Sequence, residues 1–294
     1  IFFYAIGLIL NFHLIFLSIS IFFLKLFSKS KKIINLILFY IFITFSIVDF
    51  LSPKIFNEKS DYITISNIEY DINNYFGYHP KSNSEFIEKI YLNENLIDKN
   101  KYSINEYGHR KNYNLNKKNN NCIVFYGGSI VFGQSLNDNE TLPYLVSKKL
   151  NGMKSVYNYG FKGYGPHQFL AKLENKEIYE IKHCKSLIAI YKFIPDHVGR
   201  TAGRRSYGED SPRYILKNNT VVQKGFFSNY PYKIIMKLRK NIRNSKIISL
   251  LYDVSEVNGK DKKIFLKILK KIEIETKKNF NNVSFINIIW YENL

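Results

Sequence analysis

The stretch Cys122-Ile-Val-Phe-Tyr126-Gly127-Gly128-Ser129 decides the fold. Five consecutive apolar residues ending at a glycine pair read as a strand buried on both faces, the kind found in parallel sheets. The next periodic segment is helical. Leu142, Leu145, Val146 and Leu150 recur at helical spacing, with Pro143 suited to a first turn. Ser155 to Tyr159 reads as a second strand, Gln168 to Ile181 as a second helix and Ser186 to Ile194 as a third strand. Helical patterns return at Tyr232–Tyr252 and Lys262–Thr276, and Val283 to Trp290 closes the series as a strand. The Lys262–Thr276 helix has Phe265, Ile268, Leu269 and Ile272 on one face and lysines on the other, a pattern that suits a helix packed on a sheet or a basic amphipathic helix lying on an anionic membrane surface. Alternation of this kind predicts an α/β fold with a doubly wound parallel sheet over residues 121–294. Residues 52–120 read as an irregular lead-in, and the arginine-bearing stretch from Arg200 to Lys224 as polar loop.

Upstream lies apolar sequence of another kind. Ile1 to Leu24 contains no Asp, Glu, Lys or Arg, and a helix of that length rises about 36 Å against a hydrocarbon core of about 30 Å. A second run, Ile33 to Leu51, carries charge only at Asp49. The loop between them holds Lys25, Lys29, Lys31 and Lys32, and short lysine-rich loops stay cytoplasmic. Residues 1–51 are thus predicted to form a two-helix transmembrane hairpin, with the lipid bilayer as partner and the soluble domain on the extracytoplasmic, periplasmic side. The uncharged run exceeds the 7–15 apolar residues of a signal peptide.

Composition excludes several classes. Hydrophobic residues make up 46% of the 294 and aromatic residues 16%, too much for a disordered chain. Two cysteines cannot build a disulfide-rich scaffold or a four-thiolate zinc site, and no short His/Cys ligand spacing marks a metal centre. No metal or other cofactor is expected. A disulfide between Cys122 and Cys184 stays open, since both precede strands expected to be neighbours. The net charge of +19 invites a nucleic-acid reading. However, there is no zinc-finger spacing, aromatic RNA-binding signature or basic region joined to heptads, and Lys, Asn, Ile, Phe and Tyr are abundant together as AT-rich codons dictate. Nucleic acid is not an expected partner.

Chemistry in open parallel sheets gathers beyond the carboxyl ends of the strands. Ser129 follows such an end at a glycine turn, where its hydroxyl is exposed and its backbone N–H lies near a helix start that favours an oxyanion. Its flanks, Gly128 and Ile130, exclude the G-x-S-x-G nucleophile elbow. After the second strand, Asn158-Tyr-Gly160-Phe-Lys-Gly163-Tyr-Gly165-Pro166 offers glycine N–H groups as further oxyanion donors. It lacks the Gly-Lys-Ser/Thr ending of a phosphate loop.

Gly127-Gly128-Ser129 with Phe132-Gly133 and Glu140-Thr141, followed by Asn158-x-Gly160-x-x-Gly163, resembles the first two sequence blocks of the SGNH (GDSL-type) hydrolases. Gly77-Tyr78-His79-Pro80 and Tyr102-Ser-Ile-Asn105-Glu-Tyr-Gly108-His-Arg110 resemble the lead-in of membrane-anchored bacterial members. The resemblance covers roughly residues 75–290 and is strongest over 122–200. It implies a flavodoxin-like sheet and an ester hydrolase or O-acyltransferase. Ser129 would be the nucleophile, with the Gly163 and Ser129 N–H groups in the oxyanion hole. The substrate would be an acyl ester, an O-acyl group on an envelope carbohydrate being one candidate. The family's third block supplies an asparagine where this chain has Ile194-Pro195-Asp196-His197, so Asp196 and His197 enter the candidate site as departures. An ionised Asp196 would repel an oxyanion. His197 has two readings, as a donor or base for Ser129 and as a cap on the strand end. Arg200, Arg204, Arg205 and Arg213 read as anion ligands or as a solvated loop. The family's Asp-x-x-His after the last strand is missing, which with the first residue being Ile leads to the expectation of truncation at both ends. The alternative is a catalytically inactive envelope-binding or assembly module.

Overall fold

The computed structural model describes residues 62–113, 119–205, 208–244 and 256–289, together with residues 39, 40 and 43. The chain divides into two compact units, Ile1–Lys59 with Ser245–Tyr252, and Ser60–Asn244 with Asp253–Leu294. Nearly all of the first unit lies outside the described residues; the sheet and the candidate site belong to the second.

The structure corrects the transmembrane expectation. Its two runs, residues 1–24 and 33–51, fall almost wholly outside the described residues, and among those described no helix is long and apolar enough to cross a membrane. The longest described helix, Gly259–Asn279, is 21 residues long but lysine-rich on one face, so a bilayer is not its solvent. The membrane-anchored, extracytoplasmic placement rested on that hairpin and is corrected with it.

The second unit is α/β. Its central sheet has four parallel strands: β6 (Asn121–Gly127), β7 (Ser155–Gly160), β8 (Ser186–Phe193) and β11 (Asn282–Ile289), in the order β11-β8-β6-β7. The chain starts at β6, steps to β7 at one edge, returns across β6 to β8 and ends on β11. The carboxyl ends of β6 and β8 therefore flank the point where the winding reverses, the usual crevice for a ligand in such sheets. Alternate residues feed two cores. Val124, Tyr126, Leu187, Ala189 and Tyr191 face one side, beneath α3 (Pro166–Glu174) and α6 (Gly259–Asn279). Ile123, Phe125 and Ile190 face the other, where Val146 and Leu150 of α2 (Leu142–Leu150) cover them.

Local chemistry sets the helix ends. Thr141 caps α2 by accepting from Tyr144 N, and Asn151 ends it in the left-handed conformation at φ 45°. Asn258 and Asp261 form a reciprocal capping box at the start of α6. Helix α3 begins at Pro166, before the expected Gln168, and stops at Glu174 because Asn175 caps it and Lys176 turns left-handed at φ 58°.

Two stretches read as irregular are β-structure. Residues 62–103 form strands β1 (Tyr62–Ser66), β2 (Tyr70–Asn73), β3 (Gly77–Pro80), β4 (Glu85–Leu92) and β5 (Asn95–Ser103), paired antiparallel as β1-β4-β5 and β2-β3. In the arginine-bearing stretch, α4 (Asp196–Thr201) precedes the hairpin β9 (Pro212–Lys217) and β10 (Thr220–Phe226). Helix α5 (Tyr232–Asn244) comes next, and its expected extension to Tyr252 lies outside the described residues.

Cys122 and Cys184 form a disulfide across a sequence separation of 62 residues, at the amino-terminal edge of the sheet. At the same edge as the start of β6, both sulfur atoms sit in the core beneath α3 and α6.

Candidate active site

The site is built on α1 (Ser129–Phe132), a four-residue helix that begins directly after β6. Gly128 must be glycine because its neighbours press on the backbone. A Cβ there would lie 2.5 Å from Arg200 Nη1, 2.9 Å from His197 Nε2 and 3.1 Å from the Tyr164 carbonyl. From the β7 side, the buried Asn158 amide donates to Val131 O at 2.9 Å and accepts from Gly160 N at 3.0 Å. One side chain thus ties the serine turn to the glycine loop. That loop carries Gly163 at φ +75°, a left-handed conformation that glycine adopts without strain.

Ser129 and Gly163 line one cleft of about 560 Å³, together with Gln134, Lys162 and Arg200. Its far wall comes from β2 and β3, as Tyr70, Ile72 and Tyr78, and from Gly208, Glu209 and Asp210. The supposed lead-in is therefore part of the site. Lys162 is held by Glu88 of β4, at 2.6 Å. Burial would raise the Glu88 carboxyl, but hydrogen bonds from Lys162, Tyr102 and Ser135 more than offset this and keep it below the ordinary carboxylate range.

Of the four residues singled out in the sequence, the structure brings Ser129 and Gly163 together in the cleft; Asp196 and His197 stand behind it. Asp196 accepts from Arg200 Nε at 2.6 Å on one oxygen and from Arg205 Nε on the other. His197 is 1% exposed and stacks on Tyr191, whose hydroxyl lies 2.7 Å from Nδ1. No other acceptor for that hydroxyl is found among the described residues, so it donates to Nδ1 and the imidazole proton is assigned to Nε2. That Nε2, buried and without a hydrogen-bond partner, faces the Gly128 backbone. Burial, and after it the charge of Arg200, pushes the His197 imidazole down to about 3, so it is neutral at pH 7. His167 is buried alongside with both ring nitrogens unpartnered, and the same causes push it to about 3.

Arg200 is the cleft residue that the sequence undervalued. Its i, i+4 spacing from Asp196 on a short helix was the available signal. Arg204 pairs instead with Asp261, at 2.9 Å, and forms no part of the cleft wall. Two residues that carried the family resemblance have structural duties. Arg110 is buried and donates from Nε to Asp138, from Nη1 to the carbonyls of Phe132 and Gly133, and from Nη2 to those of Lys101 and Leu136. It clamps β5 to the chain just past Ser129. His109 bonds Glu180 through Nδ1 at 2.6 Å and lies 3.1 Å from Lys172 Nζ through Nε2, joining the same region to α3.

One grouping among the described residues could hold a metal ion: Cys122, His183 and Cys184, whose ligand atoms lie within 4.8 Å of one another. Its two sulfur atoms are bonded to each other, and it lies at the opposite end of β6 from Ser129. Comparison with known proteins returns nothing to set beside this geometry: no family model, no curated protein and no solved structure matches the chain.

Proposed function

We propose that the protein is a serine ester hydrolase or O-acyltransferase of the SGNH type, acting on acyl esters through an acyl-serine intermediate. The observation that carries this reading is a serine and a left-handed glycine from two neighbouring strand ends lining one cleft at the reversal point of the sheet.

In the proposed step, Ser129 Oγ attacks the ester carbonyl carbon. The new Oγ–C bond forms as the carbonyl electron pair moves to oxygen, and the Ser129 and Gly163 N–H groups stabilise the resulting oxyanion. The hydroxyl proton passes through cleft water to a carboxylate of the far wall, Glu209 or Asp210. The oxyanion then collapses, the C–O bond to the leaving group breaks, and the departing alkoxide takes that proton and leaves as an alcohol. Water or a second alcohol cleaves the acyl-serine, giving hydrolysis or transfer. The wall formed by Tyr70, Ile72 and Tyr78 offers apolar and aromatic surface to the acyl chain or to the face of a sugar ring.

Turnover of p-nitrophenyl acetate by the full chain tests the reading. An initial burst of p-nitrophenol that Ser129→Ala removes supports it. Equal release by both proteins contradicts it and favours a binding module.

A further inference from the structure

We infer that Arg200 supplies the positive charge that stabilises the oxyanion formed at Ser129, the guanidinium doing from α4 what a neutral side-chain amide does elsewhere. This rests on Ser129 being the acylated residue.

Four observations place that charge. Arg200 lines the cleft with Ser129 and Gly163. Its Nη1 lies 2.5 Å from where a Cβ on Gly128 would stand, hence against the backbone of the residue preceding the serine. The side chain is 9% exposed and is fixed at two points, Nε on Asp196 at 2.6 Å and Nη1 on the Tyr164 carbonyl at 2.7 Å. Finally, Asp196 is shared with Arg205, so this carboxylate faces two guanidinium groups and its charge is not spent on Arg200 alone. A fixed cation whose own side chain is largely withdrawn from water acts more strongly on a developing negative charge than it would in solvent, and it needs no reorganisation during the reaction. The same charge reaches past the turn: after burial, it is the Arg200 cation that depresses both His197 and His167. Asp196 thereby gains a role compatible with an oxyanion nearby. It holds the cation in place, and is a positioning residue.

Phenylboronic acid tests the inference without requiring turnover. Ser129 Oγ adds to the neutral trigonal boron, the hydroxyl proton leaves to solvent, and the tetrahedral boron carries the negative charge that mimics the oxyanion. The full chain should bind it, and Ser129→Ala should abolish binding. Arg200→Gln should weaken binding about 100-fold, the effect of losing one oxyanion partner, and Arg200→Lys, which keeps a cation, by no more than about tenfold. All variants are checked for the wild-type unfolding midpoint; should Arg200→Gln not fold, the lysine variant decides alone, and a 100-fold loss there overturns the inference. Wild-type affinity in a folded Arg200→Gln protein also overturns it while leaving the Ser129 reading intact. If the wild-type chain neither binds the boronate nor reacts with a fluorophosphonate, the Ser129 reading itself fails.

Discussion

Asp196 Oδ2 and Arg200 Nε lie 2.6 Å apart, one helical turn from each other on α4. The pairing resolves a difficulty in the sequence. A carboxylate at the end of the third strand is an obstacle to any chemistry that builds negative charge at Ser129, yet here its two oxygens are taken up by Arg200 and Arg205. What reaches the cleft is the arginine.

Gly128 is the tightest point of this arrangement. Gly128→Ala places a methyl group against Arg200 Nη1, His197 Nε2 and the Tyr164 carbonyl, of which the carbonyl cannot rotate away. The expected outcome is a loss of about 1–3 kcal/mol in stability from overpacking and at least a tenfold fall in the rate of Ser129 acylation. Chemical denaturation and single-turnover kinetics on the same protein check it; wild-type values for both contradict the packing described.

Arg110 is buried with five hydrogen bonds and lies over the Tyr102 ring at 4.4 Å. Arg110→Met fills much of the volume but leaves Asp138 and four carbonyls short of a donor. It should cost about 3–5 kcal/mol in urea unfolding. A loss below about 1 kcal/mol contradicts the clamp.

His167 and His197 set a pH dependence. Each imidazole has a folded value of about 3 against an ordinary 6.5, so the unfolded chain binds more protons between these limits. Stability is therefore full above about pH 6.5 and falls as the pH drops from there towards about 3. His167→Leu should flatten this slope, because both ring nitrogens of His167 lack partners and no hydrogen bond is lost. Unfolding midpoints at a series of pH values measure it, and an unchanged slope in the variant contradicts the buried, neutral state.

The Cys122–Cys184 disulfide closes a long loop between neighbouring strands β6 and β8. Thiol titration in denaturant without reductant should find no free thiol. Reduction should lower stability by about 2–4 kcal/mol, read from the denaturation midpoint.

Strand β6 was legible because Cys122–Tyr126 is a continuous apolar run, and α2 because its apolar residues recur at helical spacing with Pro143 in the first turn. The strands of residues 62–103 were not. In β4, Phe86 and Glu88 both face inward, and a fully buried glutamate breaks the apolar alternation that marks a strand. Only the distant Lys162, Tyr102 and Ser135 account for it. The β9–β10 hairpin did carry a local signal, the pair Asn218-Asn219, whose positive φ values of 46° and 60° suit a tight turn. Ser129 and Gly163 stood out because glycine turns after strand ends are visible in one dimension. The behaviour of Asp196 and His197 depends on Arg205, Tyr191 and the Gly128 backbone, none of which the local pattern ties to them.

The central claim is that Ser129 is a nucleophile, and intact-mass measurement after exposure of the full chain to a fluorophosphonate tests it most directly. A nucleophilic Ser129 gives a single phosphonyl adduct on the peptide that contains it, absent from Ser129→Ala. A folded wild-type protein that takes up no adduct, or one carried by a residue other than Ser129, would contradict it.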